Sequence, residues 1–179
     1  MQKLTVEEMG RMSTQEFKQS TKLPVIVVLD NVRSLYNVGS VFRTSDAFRV
    51  ERIVLCGITA SPDTCLVEIH KTALGAEQTV EWIHTDDTLK AVQDLIDEGY
   101  TTVAIEQVHD SVKLQNLKLD KSLKYALILG NEVKGVQQQV VDLCTMCVEI
   151  PQFGTKHSLN VSVSAGMVIW EFARQLLID

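Results

Sequence analysis

Long apolar runs are missing from this chain. The longest, such as VIVVL at 25–29 and YALIL at 125–129, fall far short of the roughly 20 residues that a membrane-spanning helix needs, so no span is expected. The opening MQKLTVEEMGRMS carries acids and no apolar core, which argues against a secretory signal and for a cytoplasmic location. Cysteine is scarce, at four residues, and fits a reducing compartment. The one close pair, Cys144-Thr-Met-Cys147, lacks a second pair at ligand spacing, and His70, His84, His109 and His157 form no ligand pattern, so no metal is expected. Without a G-x-G-x-x-G, a Rossmann dinucleotide site is not expected either. Positive charge is also in short supply. The net charge of −6 argues against a broad phosphate-binding surface. The charge is uneven, however: residues 1–55 hold eight Lys/Arg against six Asp/Glu, leaving a modest basic face around Arg33, Arg43, Arg49 and Arg52.

What is present describes one domain. A chain of 179 residues, 45% apolar and 22% charged, can bury a single good core. Residues 1–22 contain two capping-box patterns, Thr5 with Glu8 and Ser13 with Glu16, implying two short helices ahead of the domain at 23–179. From Pro24 onward, β-branched runs alternate with amphipathic stretches: VIVVL (25–29), RIVLC (52–56), TVEWI (79–83), TTVAIE (101–106), YALIL (125–129) and MCVEI (146–150). That rhythm predicts an α/β fold, a mostly parallel sheet with helices on both faces. Helices are expected at about Asn37–Phe48, Val67–Leu74, Thr88–Glu98 with Asp87 as cap, Val136–Leu143 and Ser164–Leu177. The last carries Met167, Trp170, Phe172 and Leu176 on a broad apolar surface, part of which is expected to meet a second subunit.

Ligands of open α/β sheets bind beyond the carboxyl ends of the strands, which singles out three loops. In NVRSLYNVGSVFRTSDAF (31–48), Asn37 can cap a helix, Gly39 can leave its first turn bare for close approach, and Arg43 lies one turn further on. This suits a phosphate, and equally a capped helix with a solvated arginine. In ILGNEVKGV (128–136), Gly130, Glu132 and Gly135 can bring a ligand against the main chain, or simply make a strand-to-helix turn. In IPQFGTKHSLNVSVSAG (150–166), Ser158, Asn160, Ser162 and Ser164 alternate with apolar residues, which points to a ligand more than to capping alone.

The ordered set N-x-G-x-x-x-R at 37–43, G-N-E-x-x-G at 130–135 and I-P-x-x-G-x-x-x-S-L-N-V-S-V at 150–163 resembles the three motifs of the SpoU/TrmH branch of SPOUT RNA 2′-O-methyltransferases, from about Pro24 to the C-terminus. The resemblance implies a C-terminal trefoil knot, with residues after about 125 threaded through an earlier loop, a topology that periodicity would not suggest. It also implies S-adenosylmethionine as cofactor, held near Ile105, Glu106, Gln107, Leu129, Gly130, Ile150, Ser158 and Leu159, and a homodimer whose active site draws on both chains. Asn37 and Arg43 would then meet the target nucleotide, with Glu132, Ser158 and Asn160 organising the pocket.

The acceptor implied is the ribose 2′-hydroxyl of RNA, transfer RNA ahead of ribosomal RNA, with no membrane partner. The alternative is a catalytically idle, knotted RNA-binding or assembly dimer. Two positions depart from the common pattern, Asn131 where many relatives have Ser and Gln152 where many have Met. Relatives often carry an added RNA-binding domain or strongly basic terminal helices, whereas residues 1–22 hold four basic and three acidic residues.

Overall fold

A computed structural model describes residues 1–5 and 7–178. Seven parallel strands form one sheet in the order β3-β2-β1-β6-β4-β7-β5. They are β1 (Leu23–Asp30), β2 (Val50–Cys56), β3 (Glu81–Thr85), β4 (Tyr100–Ile105), β5 (Val112–Lys113), β6 (Lys124–Gly130) and β7 (Met146–Glu149). The helices are α1 (Thr14–Gln19), α2 (Leu35–Ala47), α3 (Pro62–Ala73), α4 (Ala76–Thr79), α5 (Thr88–Asp97), α6 (Gln138–Leu143) and α7 (Val161–Ala173), the last extended by a π-helical turn at Arg174–Ile178.

The two-residue side-chain period of a strand divides the core. Val25, Val27 and Leu29 of β1, with Tyr125, Leu127 and Leu129 of β6, meet Val38, Val41 and Phe42 of α2 and Val168, Ile169 and Phe172 of α7. Ile26, Val28, Ala126 and Ile128 point the other way, against Val92 and Leu95 of α5 and Val140 of α6. Central strands covered on both faces read as continuous apolar runs, which is why VIVVL and YALIL show no alternation with polar residues. Inserting β6 between β1 and β4 is consistent with the threading expected of residues after 125.

The elements expected from the sequence occur, with several differences. Asp87 caps α5 through Lys90 N as anticipated. The box at Ser13 and Glu16 starts α1, but Thr5 and Glu8 close only a hydrogen-bonded turn, because no apolar periodicity follows to extend it. The strand placed at 79–83 begins two residues later, since Thr79 ends α4 with its hydroxyl on Ala76 O. β5, only two residues long, carries too short a pattern to be read in advance. α3 starts at Pro62, which fixes the first helical turn, and kinks at Cys65.

Segment Val161–Ile178 is long and apolar enough by composition to cross a membrane. Its inner face, including Val168, Ile169 and Phe172, is buried in the domain core, which accounts for that composition.

Gly39 carries a different role from the one expected. It is buried where α2 crosses α3, and a Cβ there would lie 2.2 Å from Thr72 Oγ1 and 2.3 Å from the Ile69 carbonyl oxygen. It admits a neighbouring helix, not a ligand. A helix backbone carbonyl cannot step aside cheaply, so Gly39→Ala should destabilise by about 1–3 kcal/mol despite the better helix propensity of alanine. Thermal melting should fall by several degrees; an unchanged or raised midpoint would contradict this packing.

Candidate functional site

The carboxyl ends of β6, β4 and β7, adjacent in the sheet, open into a cleft of about 290 Å³. Its floor is apolar, with Ile105, Leu129, Val148 and Ile150 at the strand ends and Leu159 and Val161 before and at the start of α7. Glu106, Gln107, Gln152 and Ser158 supply polar rims, and main-chain atoms of Gly130 are exposed between them. All eight residues expected around the methyl donor line this single cleft.

The second motif forms one wall as a closed turn. Asn131 and Gly135 exchange two backbone hydrogen bonds of 3.1 and 2.9 Å, and Asn131 Oδ1 accepts from the amides of Val133 and Lys134 at 3.0 Å. Asn131 Nδ2 donates to Asn31 O at 2.8 Å, tying the turn to the end of β1. An Asn here thus fills both roles of a turn-closing side chain. Gly135 has φ +69°, and a Cβ would meet Glu106 Oε1 at 2.3 Å; one on Gly130 would lie 2.1 Å from the Gly135 carbonyl carbon. The two glycines therefore let the turn fold onto itself and onto Glu106, whose Oε1 accepts from Val136 N at 2.7 Å. Gln107 Nε2 donates to His157 O at 2.7 Å, fastening the third motif to the same strand end.

Asn37 joins the three motifs. The helix cap expected of it belongs to Ser34, whose hydroxyl accepts from Asn37 N; Asn37 sits in the first turn, 9% exposed. From there its Nδ2 donates to Glu132 Oε1 at 3.0 Å, while its Oδ1 accepts from Asn160 Nδ2 at 3.1 Å and from Ser162 Oγ at 3.4 Å. Glu132 also accepts from the amides of Arg33 and Ser34 at 3.0 Å, satisfying free donors at the start of α2. Asn160 Oδ1 caps α7 through Ser162 N and Val163 N. The two ends of one amide thus hold a carboxylate on one loop and a helix cap on another. Burial alone would raise the Glu132 carboxyl, but the amides of Arg33 and Ser34 and the Asn37 side chain together hold it below its ordinary 4.5.

The structure brings Asn37, Glu132 and Asn160 into one network and sets Ser158 on the cleft wall. Arg43 is not among the residues that line this cleft. It lies on the flank of α2, exposed, about 120° around the helix from Asn37 at 100° per residue. Lys134 and Glu149 also line the cleft and were not anticipated; Lys134 lies inside the second motif, the one signal that could have marked it. Among the described residues, no group of three or more His, Cys, Asp or Glu is placed to hold a metal ion. Burial, reinforced by Cys147, pushes the Cys144 thiol to about 12, so that thiol stays protonated and unreactive at neutral pH.

A depressed carboxyl contributes stability above its unfolded value of 4.5 and loses it as pH falls through the lower folded value. Glu132→Gln should therefore melt a few degrees below wild type at neutral pH, with the gap narrowing in acid as the wild-type carboxylate is protonated. Melting curves across that range test it. A gap independent of pH would show that the charge of Glu132 does not hold the loops.

The match to the SpoU rRNA Methylase family model covers residues 24–170. The 23S rRNA (guanosine-2′-O-)-methyltransferase RlmB of Neisseria meningitidis is 32% identical over 157 residues, 85% of this chain and 59% of that protein. The chain spans 59–62% of the length of the curated relatives first matched. The structure of the A. aeolicus TrmH/SpoU tRNA modifying enzyme superposes with a TM-score of 0.77 at 26% identity, covering 90% of this chain and 79% of that one. An AdoMet-bound rRNA methyltransferase from Sinorhizobium meliloti gives 0.76 at 26% identity, covering 89% and 62%. On the residues matched and the shared fold, the chain belongs to the SpoU rRNA Methylase family.

Proposed function

We propose that this protein transfers a methyl group from S-adenosylmethionine to a ribose 2′-hydroxyl of RNA in the cytoplasm, as a homodimer. The observation that carries the reading is the convergence of the second and third motifs on one cleft, with the first joined to both through the single amide of Asn37. The cleft suits the donor: an apolar slot at the strand ends accommodates a flat adenine, and a few placed polar groups orient the rest. When bound, S-adenosylmethionine supplies an electrophilic methyl group on a sulfonium.

The protein's part is positioning. Asn37, Glu132 and Asn160 fix the loops that shape the cleft, and Ser158 presents its hydroxyl at the rim. A guanidinium is a poor general base, so the role assigned to Arg43 is to grip an RNA phosphate and stabilise charge at the reacting ribose. Because Arg43 lies away from the donor cleft of its own chain, a second copy would bring the two together. Tyr36 on α2 and Val163, Met167 and Trp170 on α7 expose apolar surface suited to that contact, with Trp170 stacked at a tilt on Phe48, ring centroids 5.8 Å apart. The relatives' names include both tRNA and rRNA acceptors, and transfer RNA is the acceptor we favour.

Incubation with labelled S-adenosylmethionine and total cellular RNA should label RNA, at the ribose on nuclease digestion. Arg43→Ala should remove most turnover while leaving donor affinity and melting temperature unchanged. Arg43→Lys should restore little, since a lysine lacks the paired-donor geometry. Donor binding without transfer to any RNA would favour the idle dimer; full turnover by Arg43→Ala would end the role assigned to that residue. Sedimentation should give a dimer that Trp170→Glu dissociates, and a wild-type monomer at active concentration would refute the shared site.

A further inference from the structure

A second, larger cleft of about 710 Å³ lies between the N-terminal segment and the helices α2, α3 and α4. Arg11, Arg43 and Arg49 line it. Among the described residues none of these three side chains has a hydrogen-bond or ion-pair partner, whereas Arg52 and Arg174 are paired with Glu98 and Glu171. Among the described residues the one carboxylate lining the cleft, Asp46, accepts a hydrogen bond from the Thr79 hydroxyl.

The wall that supplies Arg11 is anchored. Phe17 of α1 is buried in the main core, and Lys22 donates to the Phe17 carbonyl while its Nζ lies 3.7 Å from the ring centroid. The capping box of Ser13 and Glu16 fixes the start of that helix directly after Arg11. A span fixed before the family-matched segment at 24–170 is therefore paired with two arginines from within it.

We infer that this cleft binds the phosphodiester backbone of the acceptor RNA, with Arg11 and Arg49 extending the phosphate grip of Arg43. The inference rests on the methyltransferase reading above and gives residues 1–22 a part in substrate binding. Guanidinium groups bind phosphate oxygens through paired donors, and three of them along a cleft too large for one phosphate suit a run of backbone. α2 connects the two clefts: Asn37 in its first turn belongs to the donor side, and Arg43 under two turns later belongs to this one.

Arg11→Ala and Arg49→Ala test the inference without touching the donor cleft. Binding of labelled bulk transfer RNA, titrated over a range of salt, should weaken roughly tenfold for each, the loss of one charge-assisted contact. The slope of log affinity against log salt should flatten by about 0.7–0.9 per substitution. S-adenosylmethionine affinity, melting temperature and sedimentation should not move, and Arg11→Lys should keep the salt slope. Unchanged RNA affinity and slope in both variants, with wild type still methylating RNA, would overturn the inference and leave the function standing. Absence of both RNA binding and methyl transfer in the wild type would overturn both. A shift of Arg11→Ala to a smaller species in sedimentation would reassign the cleft to contact between copies.

Discussion

One primary amide carries the architecture of the site. A carboxamide has a donor end and an acceptor end, and Asn37 commits each to a different loop: the donor to Glu132, 95 residues away, and the acceptor to Asn160, 123 residues away. Glu132 in turn meets the bare amides at the start of α2, and Asn160 meets those at the start of α7. Two helix starts and one tight turn are thus satisfied by a shared set of side chains. In a partly buried network each lost partner leaves another group unpaired, so the loops stand or loosen together.

The parallel sheet makes this convergence possible. All seven strands run the same way, so the loops following β1, β6, β4 and β7 emerge along one rim, and adjacency in the sheet converts distant sequence into neighbouring loops. A second anchor below the rim reinforces the arrangement. Asp30, fully buried at the end of β1, accepts from Asn31 Nδ2, from the Thr88 hydroxyl and from both the amide and the side chain of Gln137. It links β1 to the starts of α5 and α6, bracing the face of the sheet opposite α2 and α7 where the loops begin. The glycines then set how closely the parts approach: Gly39 for two helices, Gly130 and Gly135 for the folded turn.

How much of this could be read from the sequence follows from how local each signal is. Apolar runs, the capping box at Ser13 and the Asp87 cap are decided within a few residues, and the sheet and most helices followed from them. The eight residues that the resemblance placed around a methyl donor line one cavity. What was misread depends on distant chain. Asn37 looks like a cap, but Ser34 takes that place, and the Asn37 amide goes instead to Glu132 and Asn160 from distant loops. Gly39 looks ready for a ligand, but α3 occupies that face. Where Arg43 lies relative to Asn37 is set by helical rotation, which a motif string does not convey, and its part in the reaction stands as proposed above. Asp30 gave no signal at all, since a single acid closing an apolar strand is explained only by the donors that gather on it.

The three loops form one cooperative unit held through Asn37. Amide hydrogen exchange of Asn37→Ala against wild type, resolved by peptide, tests it most directly, because local opening reports the stability of each segment separately. Asn37→Ala should speed exchange together in three stretches far apart in sequence: the start of α2 near 33–38, the turn at 131–136 and the start of α7 near 160–165. Acceleration confined to the stretch around residue 37, with the other two exchanging as in wild type, would contradict it.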